Sequence, residues 1–105
     1  MAATENSSFT ALADPTRRRI IALLAERDRT VSEIAGHFAV SRPAISKHLR
    51  VLRRAGLVTE ARRGRERVQH FDAAALQAVA DWVRRYDAFW QERLATLKTL
   101  VEDDG

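Results

Sequence analysis

A mainly α chain closed by one small β-hairpin, in the order α-α-α-α-β-β-α, is predicted by three observations. Apolar residues recur at helical spacing in four short segments and one long one, a single alternating stretch is broken by a central glycine, and cap residues punctuate the boundaries. The chain has 105 residues, the size of one domain, and is read as a single unit over 1–105. Hydrophobic residues make up 46%, enough for a packed core, although so short a domain hides less of its surface than a large one and gains from association.

Met1 to Asn6 reads as a frayed start, and Ser7 or Ser8 as the cap of a short first helix with Phe9 and Leu12 on one side. Asp14-Pro15 restarts the chain with a cap and a proline at the first helical position, opening a second helix to about Glu26 that aligns Ile20, Leu23 and Leu24. Thr30-Val31 is a brief extended step, and Ser32 the expected cap of a third helix facing Ile34, Ala35 and Phe38 inward. Only Ala39 and Val40 separate that helix from the next cap, Ser41, and two short helices joined so tightly form a helix-turn-helix. The fourth helix, Arg42 to Ala55, ends at Gly56, which supplies the left-handed position.

Leu57 to Glu60 and Arg67 to Phe71 read as strands, with 61–66 turning around Gly64, so the helix-turn-helix carries a wing. From Asp72, a cap, one long helix covers about 73–101, roughly 40 Å at 1.5 Å per residue.

Lysine and arginine total 18 against 14 acidic residues, a formal +4 that a polyanion or mere solubility would equally explain. Distribution separates the two: between Arg42 and Arg67 the only acids are Glu60 and Glu66, while Asp87, Glu92, Glu102, Asp103 and Asp104 gather toward the C-terminus. On a helical wheel Ile45, Leu49 and Leu52 anchor the fourth helix, and the opposite side carries Pro43, Ser46, Lys47, Arg50 and Arg54, flanked by Arg42 and Ala44. A helix fits the major groove of duplex DNA, where Arg or Lys donates to guanine, Ser meets several base edges and a small apolar group meets a thymine methyl. Ser41 and the free N–H groups near Arg42 suit a phosphate. His48, at the edge of the buried side, reads as packed or phosphate-bonding; a purely solvated face is the competing reading of Arg50, Arg53 and Arg54. Arg62, Arg63, Arg65 and Arg67 crowd the wing, suited to a minor groove or the sugar-phosphate backbone; the competing reading is an exposed turn balanced by Glu60 and Glu66.

The absence of cysteine excludes disulfides, thiolate catalysis and thiol redox sensing. Apolar stretches are too short to cross a bilayer and no signal-like start is present, so a cytoplasmic protein is expected. No Ser-His-Asp set, carboxylate pair, phosphate loop or metal cluster is legible, so neither an enzyme nor a cofactor is expected.

Ser32-Glu33-Ile34-Ala35, Ser41 through Leu52, Ala55-Gly56-Leu57-Val58 and the opening Phe9 to Arg17 together resemble the ArsR/SmtB family of winged-helix repressors, over about residues 8–100. The resemblance implies a homodimer on an operator overlapping a promoter, often that of its own operon, released in many members by a metal. This chain departs there. Thr30 and Ser32 stand where arsenic and cadmium sensors carry cysteines, the last helix has no histidine, and of His37, His48 and His70 only the last, with Asp72, makes even a weak ligand pair. No metal site is expected, which resembles the metal-independent branch with an aromatic-rich last helix. Along that helix Leu76, Val79, Val83, Tyr86, Trp90, Leu94, Leu97 and Val101 recur three or four apart, with Trp82 and Phe89 beside them. The stripe exceeds what one subunit's short helices cover, so a dimer through the first and last helices, adding Phe9 and Leu12, is expected. A small-molecule pocket lined by Trp82, Tyr86, Phe89 and Trp90, and a protein-interaction module, are the alternatives. Two recognition helices in successive major grooves would call for an inverted-repeat operator; its sequence, the genes and any inducer are not legible.

Overall fold

The computed structural model describes the backbone of residues 2–103 and the side chains of 7–102, so Met1 and Asp104 lie outside the described residues. The elements are α1 (Ala2–Leu12), α2 (Pro15–Glu26), β1 (Arg29–Thr30), α3 (Val31–Ala35), α4 (Arg42–Arg54), β2 (Val58–Arg63), β3 (Glu66–Phe71) and α5 (Ala73–Asp103). The expected mainly α winged helix-turn-helix is observed, with a third strand in place of a bare hairpin: the sheet is antiparallel in the order β1-β3-β2. The extended step expected at Thr30-Val31 is instead strand β1 at Arg29-Thr30, with Val31 already in α3; a two-residue strand carries no alternation to read.

Helix starts are set by short polar side chains. Asp14 caps α2, accepting the Arg17 backbone N–H at 3.0 Å. The end of α1 is closed from α2: Arg17 donates to the carbonyls of Ala11 (2.6 Å) and Thr10 (3.1 Å), and Arg18 to those of Leu12 (2.8 Å) and Ala13 (3.1 Å). Thr10 O also accepts the Ala13 N–H at 3.2 Å, and carbonyls at a helix end generally run short of partners within the helix, so the two guanidinium groups fasten α1 to α2. Helix α1 begins at Ala2 and not at a Ser7 or Ser8 cap; Ser8 is buried inside it, and the high helix propensity of Ala2 and Ala3 extends it upstream.

The cap of α3 is Thr30 and not Ser32. Its hydroxyl accepts the Glu33 N–H at 3.1 Å while the Glu33 carboxylate accepts the Thr30 N–H at 3.3 Å, a reciprocal box. The α3–α4 connection is accordingly longer than the two residues expected, spanning 36–41. Ser41 caps α4 through Ala44 N–H (3.3 Å). At the other end Gly56, with φ 78°, sits in a Schellman arrangement: its N–H reaches Arg53 O and the Leu57 N–H reaches Leu52 O, both at 3.0 Å.

Strands β2 and β3 pair from Val58↔Phe71 to Arg63↔Glu66, leaving Gly64-Arg65 as a two-residue connection. The segment expected as a six-residue turn is thus mostly strand; charged side chains that face solvent on both sides give no alternation to betray it. Asp72 caps α5 through the N–H groups of Ala74 (3.0 Å) and Ala75 (3.4 Å).

Ile20, Leu24, Ile34, Ile45, Leu49, Leu52, Leu57 and Val58 form the core, with Leu12, Phe38, Ala75 and Leu76 packed against it. Val79 is the last buried residue of α5, which then leaves the body and stretches the molecule to 68 Å. Among the described residues no helix is long and apolar enough to cross a membrane.

Candidate nucleic-acid interface

Helix α4 is pinned by Ile45, Leu49 and Leu52, all fully buried, which turns Arg42, Pro43, Lys47, Arg50 and Arg54 outward and leaves Ala44 and Ser46 half-buried. Among the described residues, Arg42, Lys47, Arg50 and Arg54 form no ion pair. The N-terminal half of α4 and the wing line one polar cleft of about 370 Å³, bounded by Arg42 and Ser46 on the helix, Arg65, Glu66 and Arg67 on the hairpin, and Thr30 to Ser32. Thr30 and Ser32 border this cleft and were not among the expected contact residues; the Thr30-x-x-Glu33 spacing marks the helix start there and carries no sign of the cleft.

In the wing Arg62, Arg63, Arg65 and Arg67 are all exposed, and Arg62 lies directly across the ladder from Arg67. Like charges so placed repel, and with no acidic partner within ion-pair distance among the described residues they favour an external anion. The four arginines therefore sit on a paired ladder, three of them in strands and Arg65 at the tip.

Three residues of α4 depart from a single solvated face. Arg53 turns back to the sheet, donating to Gln69 Oε1 at 3.1 Å and lying 3.6 Å from Glu60. His48 packs against α2, its Nδ1 3.3 Å from Arg17 Nη1 and 3.9 Å from Asp14 Oδ2. The Arg17 backbone N–H, aided by the charges of His48 and Arg17, holds the Asp14 carboxyl below its usual range. Arg54, at the far end of the helix, borders a separate groove with Ser7, Thr10, Val51 and Ala55, away from the wing cleft.

His70 and Asp72 do not work as a pair: His70 Nδ1 lies 2.8 Å from Asp28 Oδ1, and Asp72 is engaged in capping α5. Among the described residues no three His, Cys, Asp or Glu side chains gather as a metal site would need.

The residues expected at a dimer interface fall into two sets. Leu12 and Leu76 are partly buried against their own subunit's core and Val79 is 6% exposed, while Leu76 and Val79 still border an open groove that continues to Val83. Val83, Tyr86, Phe89, Trp90, Leu94 and Leu97 stand in the open. Between the sets Phe9 meets Trp82 edge-on with centroids 5.1 Å apart, and Trp82 stacks on Tyr86 at 5.0 Å. The rings pack along the helix, and Trp82, Tyr86 and Phe89 line an open groove with Arg85.

Residues 14–60 match the family described as bacterial regulatory protein, arsR family. The chain is 37% identical over 81 residues to the transcriptional repressor SdpR of Bacillus subtilis, covering 77% of this chain and 90% of that one. It is 39% identical over 98 residues to the HTH-type transcriptional regulator Rv2034 of Mycobacterium tuberculosis, covering 93% and 89%. Among solved structures it is similar to an ArsR-like transcriptional regulator from Rhodococcus sp. RHA1, with a TM-score of 0.79, 38% identity and coverage of 94% and 93%. It also resembles the homodimeric winged helix-turn-helix DNA-binding domain Mb0332 from Mycobacterium bovis, at a TM-score of 0.66, 27% identity and coverage of 89% and 83%. A chain with this fold, this basic cleft and relatives so similar over most of its length belongs to the ArsR family and is a DNA-binding transcriptional regulator, not an enzyme.

Proposed function

We propose that two copies of this chain act as a cytoplasmic homodimer that binds an inverted-repeat operator and represses transcription, its own operon included, with no metal as effector. One observation carries the DNA reading: unpaired cations of α4 and of the wing border one cleft, with Arg62 opposed to Arg67. In this reading α4 enters the major groove, where Ser46, Lys47 and Arg50 meet base edges, and Arg42, Ser41 and the wing arginines hold the adjacent backbone or minor groove. Pro43 and Ala44 supply close apolar contact, Arg54 a flanking phosphate contact, and His48 a donor at the edge.

The dimer reading is supported by the apolar side chains that α5 leaves in water from Val83 to Val101, and by the homodimeric state of the similar Mycobacterium bovis domain. Phe9 and Trp82 extend that surface onto α1. Two-fold symmetry would set the recognition helices about 34 Å apart. Repression is the role of the similar Bacillus subtilis protein. The lack of cysteine, and of histidine in α5, supports metal independence.

Mobility shifts on DNA from the chain's own upstream region test the reading. Lys47→Ala is expected to lower affinity for the operator about 10- to 100-fold while leaving binding to scrambled DNA nearly unchanged. Unchanged affinity for both would refute base reading by α4.

A further inference from the structure

Gln69 is an uncharged polar residue with 0% exposure in the middle strand of the sheet, and both ends of its amide are engaged. Its Oε1 accepts from Arg53 on α4 at 3.1 Å, and its Nε2 donates to Glu60 on β2 at 2.8 Å. Glu60 is also its cross-strand partner, and Arg53 and Glu60 are themselves 3.6 Å apart, each side chain about 30% exposed. Three elements thus meet at one buried amide. A hydrophobic residue would fill the space and keep the core dry, but apolar contact has no direction, whereas a chain of hydrogen bonds fixes angles. The joint lies in the middle of the hairpin ladder, two pairs before Arg62↔Arg67, and the half of the hairpin beyond it carries Arg62, Arg63, Arg65 and Arg67.

We propose that Gln69 is a positioning residue that sets the angle between α4 and the wing, so that both engage the same duplex at once. The inference rests on the reading of α4 and the wing as a joint DNA interface. Arg53 and Glu60 are its two arms. Arg53 therefore serves DNA binding without touching DNA, and its place among the arginines of α4 is misleading.

The test uses the full chain on an upstream-region duplex, with three readouts: hydroxyl-radical protection of the backbone for the wing, dimethyl sulfate protection of guanine N7 for α4, and the salt dependence of affinity. Gln69→Met, close in shape but without the amide, is expected to lose the wing protections, keep the guanine protections, lower affinity about tenfold and reduce the log–log salt slope by about two. Glu60→Ala, at a partly exposed site that leaves the core intact, is expected to act in the same direction and decides the matter if Gln69→Met does not fold. The exchange Gln69→Glu with Glu60→Gln should restore the wing protections, since the central carboxylate still accepts from Arg53 and the new amide donates to it. Loss of both kinds of protection together, or failure of the exchange to restore them, would overturn the inference. A wild-type footprint left whole by the single variants would overturn it alone; the lack of any wild-type footprint would overturn the operator reading and take the inference with it.

Discussion

Removing two leucines from the free part of α5 should dissolve the proposed dimer without unfolding the subunit. Leu94 and Leu97 are 53% and 57% exposed, and the groove that Leu97 borders is lined only by residues of α5. Burying a leucine fully is worth about 1.5–3 kcal/mol, so covering the exposed half of each is worth about 1 kcal/mol. Two-fold symmetry places four such side chains in the interface, so the double variant Leu94→Ala/Leu97→Ala forfeits roughly 3–4 kcal/mol. At 1.4 kcal/mol per tenfold, the dimer Kd rises between about 100- and 1000-fold. Alanine has the highest helix propensity, so α5 itself keeps its helicity. Sedimentation equilibrium over a dilution series measures the Kd, and far-ultraviolet circular dichroism confirms the helix content. A Kd within threefold of wild type would show that α5 beyond Val83 is not the interface.

Two further outcomes follow from the caps. Gly56→Ala meets no atom within 4 Å of the added Cβ, so its cost is the positive φ alone, about 1 kcal/mol, seen as a fall of about 4–8 °C in the thermal midpoint; an unchanged midpoint would mean that the end of α4 is not held by this glycine. The carboxyls of Asp14 and Glu33 are held below their usual values of 3.8 and 4.5, foremost by the backbone N–H groups of Arg17 and Thr30 respectively. A depressed folded pKa contributes stability above the unfolded value and loses it as pH falls through the folded one, so the thermal midpoint should be flat above about pH 5 and decline in more acidic solution. Asp14→Asn keeps the cap acceptor but cannot titrate, and should flatten that decline; an identical acid profile would remove Asp14 from the account.

The parts of the fold that were legible in the sequence are those with local chemistry. Ser41, Gly56 and the Ile45-Leu49-Leu52 stripe define α4 because a cap, a left-handed residue and a helical period each leave a mark on the residue types themselves. Gly64 and Asp72 mark the wing turn and the start of α5 for the same reason. Most of what failed depended on partners distant along the chain, the Thr30 cap being a local exception. Thr30 displaced Ser32 as a cap because Glu33 answers it, and β1 exists only because β3 lies beside it. Arg53 belongs to the arginine-rich side of α4 by type and to the sheet by contact, a difference that Gln69, sixteen residues away, decides. The α5 stripe was legible as apolar, but the division at Val79 between the subunit's own core and open surface depends on how far the smaller helices reach.

The two-residue tip of the wing has a consequence for association kinetics. Gly64 has φ 64° and Arg65 does not share the positive φ, the pattern that a tight II′ hairpin turn requires, so the end of the ribbon has no slack. Its guanidinium groups are carried on a preorganised backbone, so that in the proposed complex most of the ordering entropy would be lost when the subunit folds and not when DNA arrives. Binding by the proposed wing contact would then draw mainly on side-chain freedom and counterion release, which favours rapid encounters. One residue inserted at Gly64-Arg65 would both loosen the tip and disturb the facing of the arginines below it.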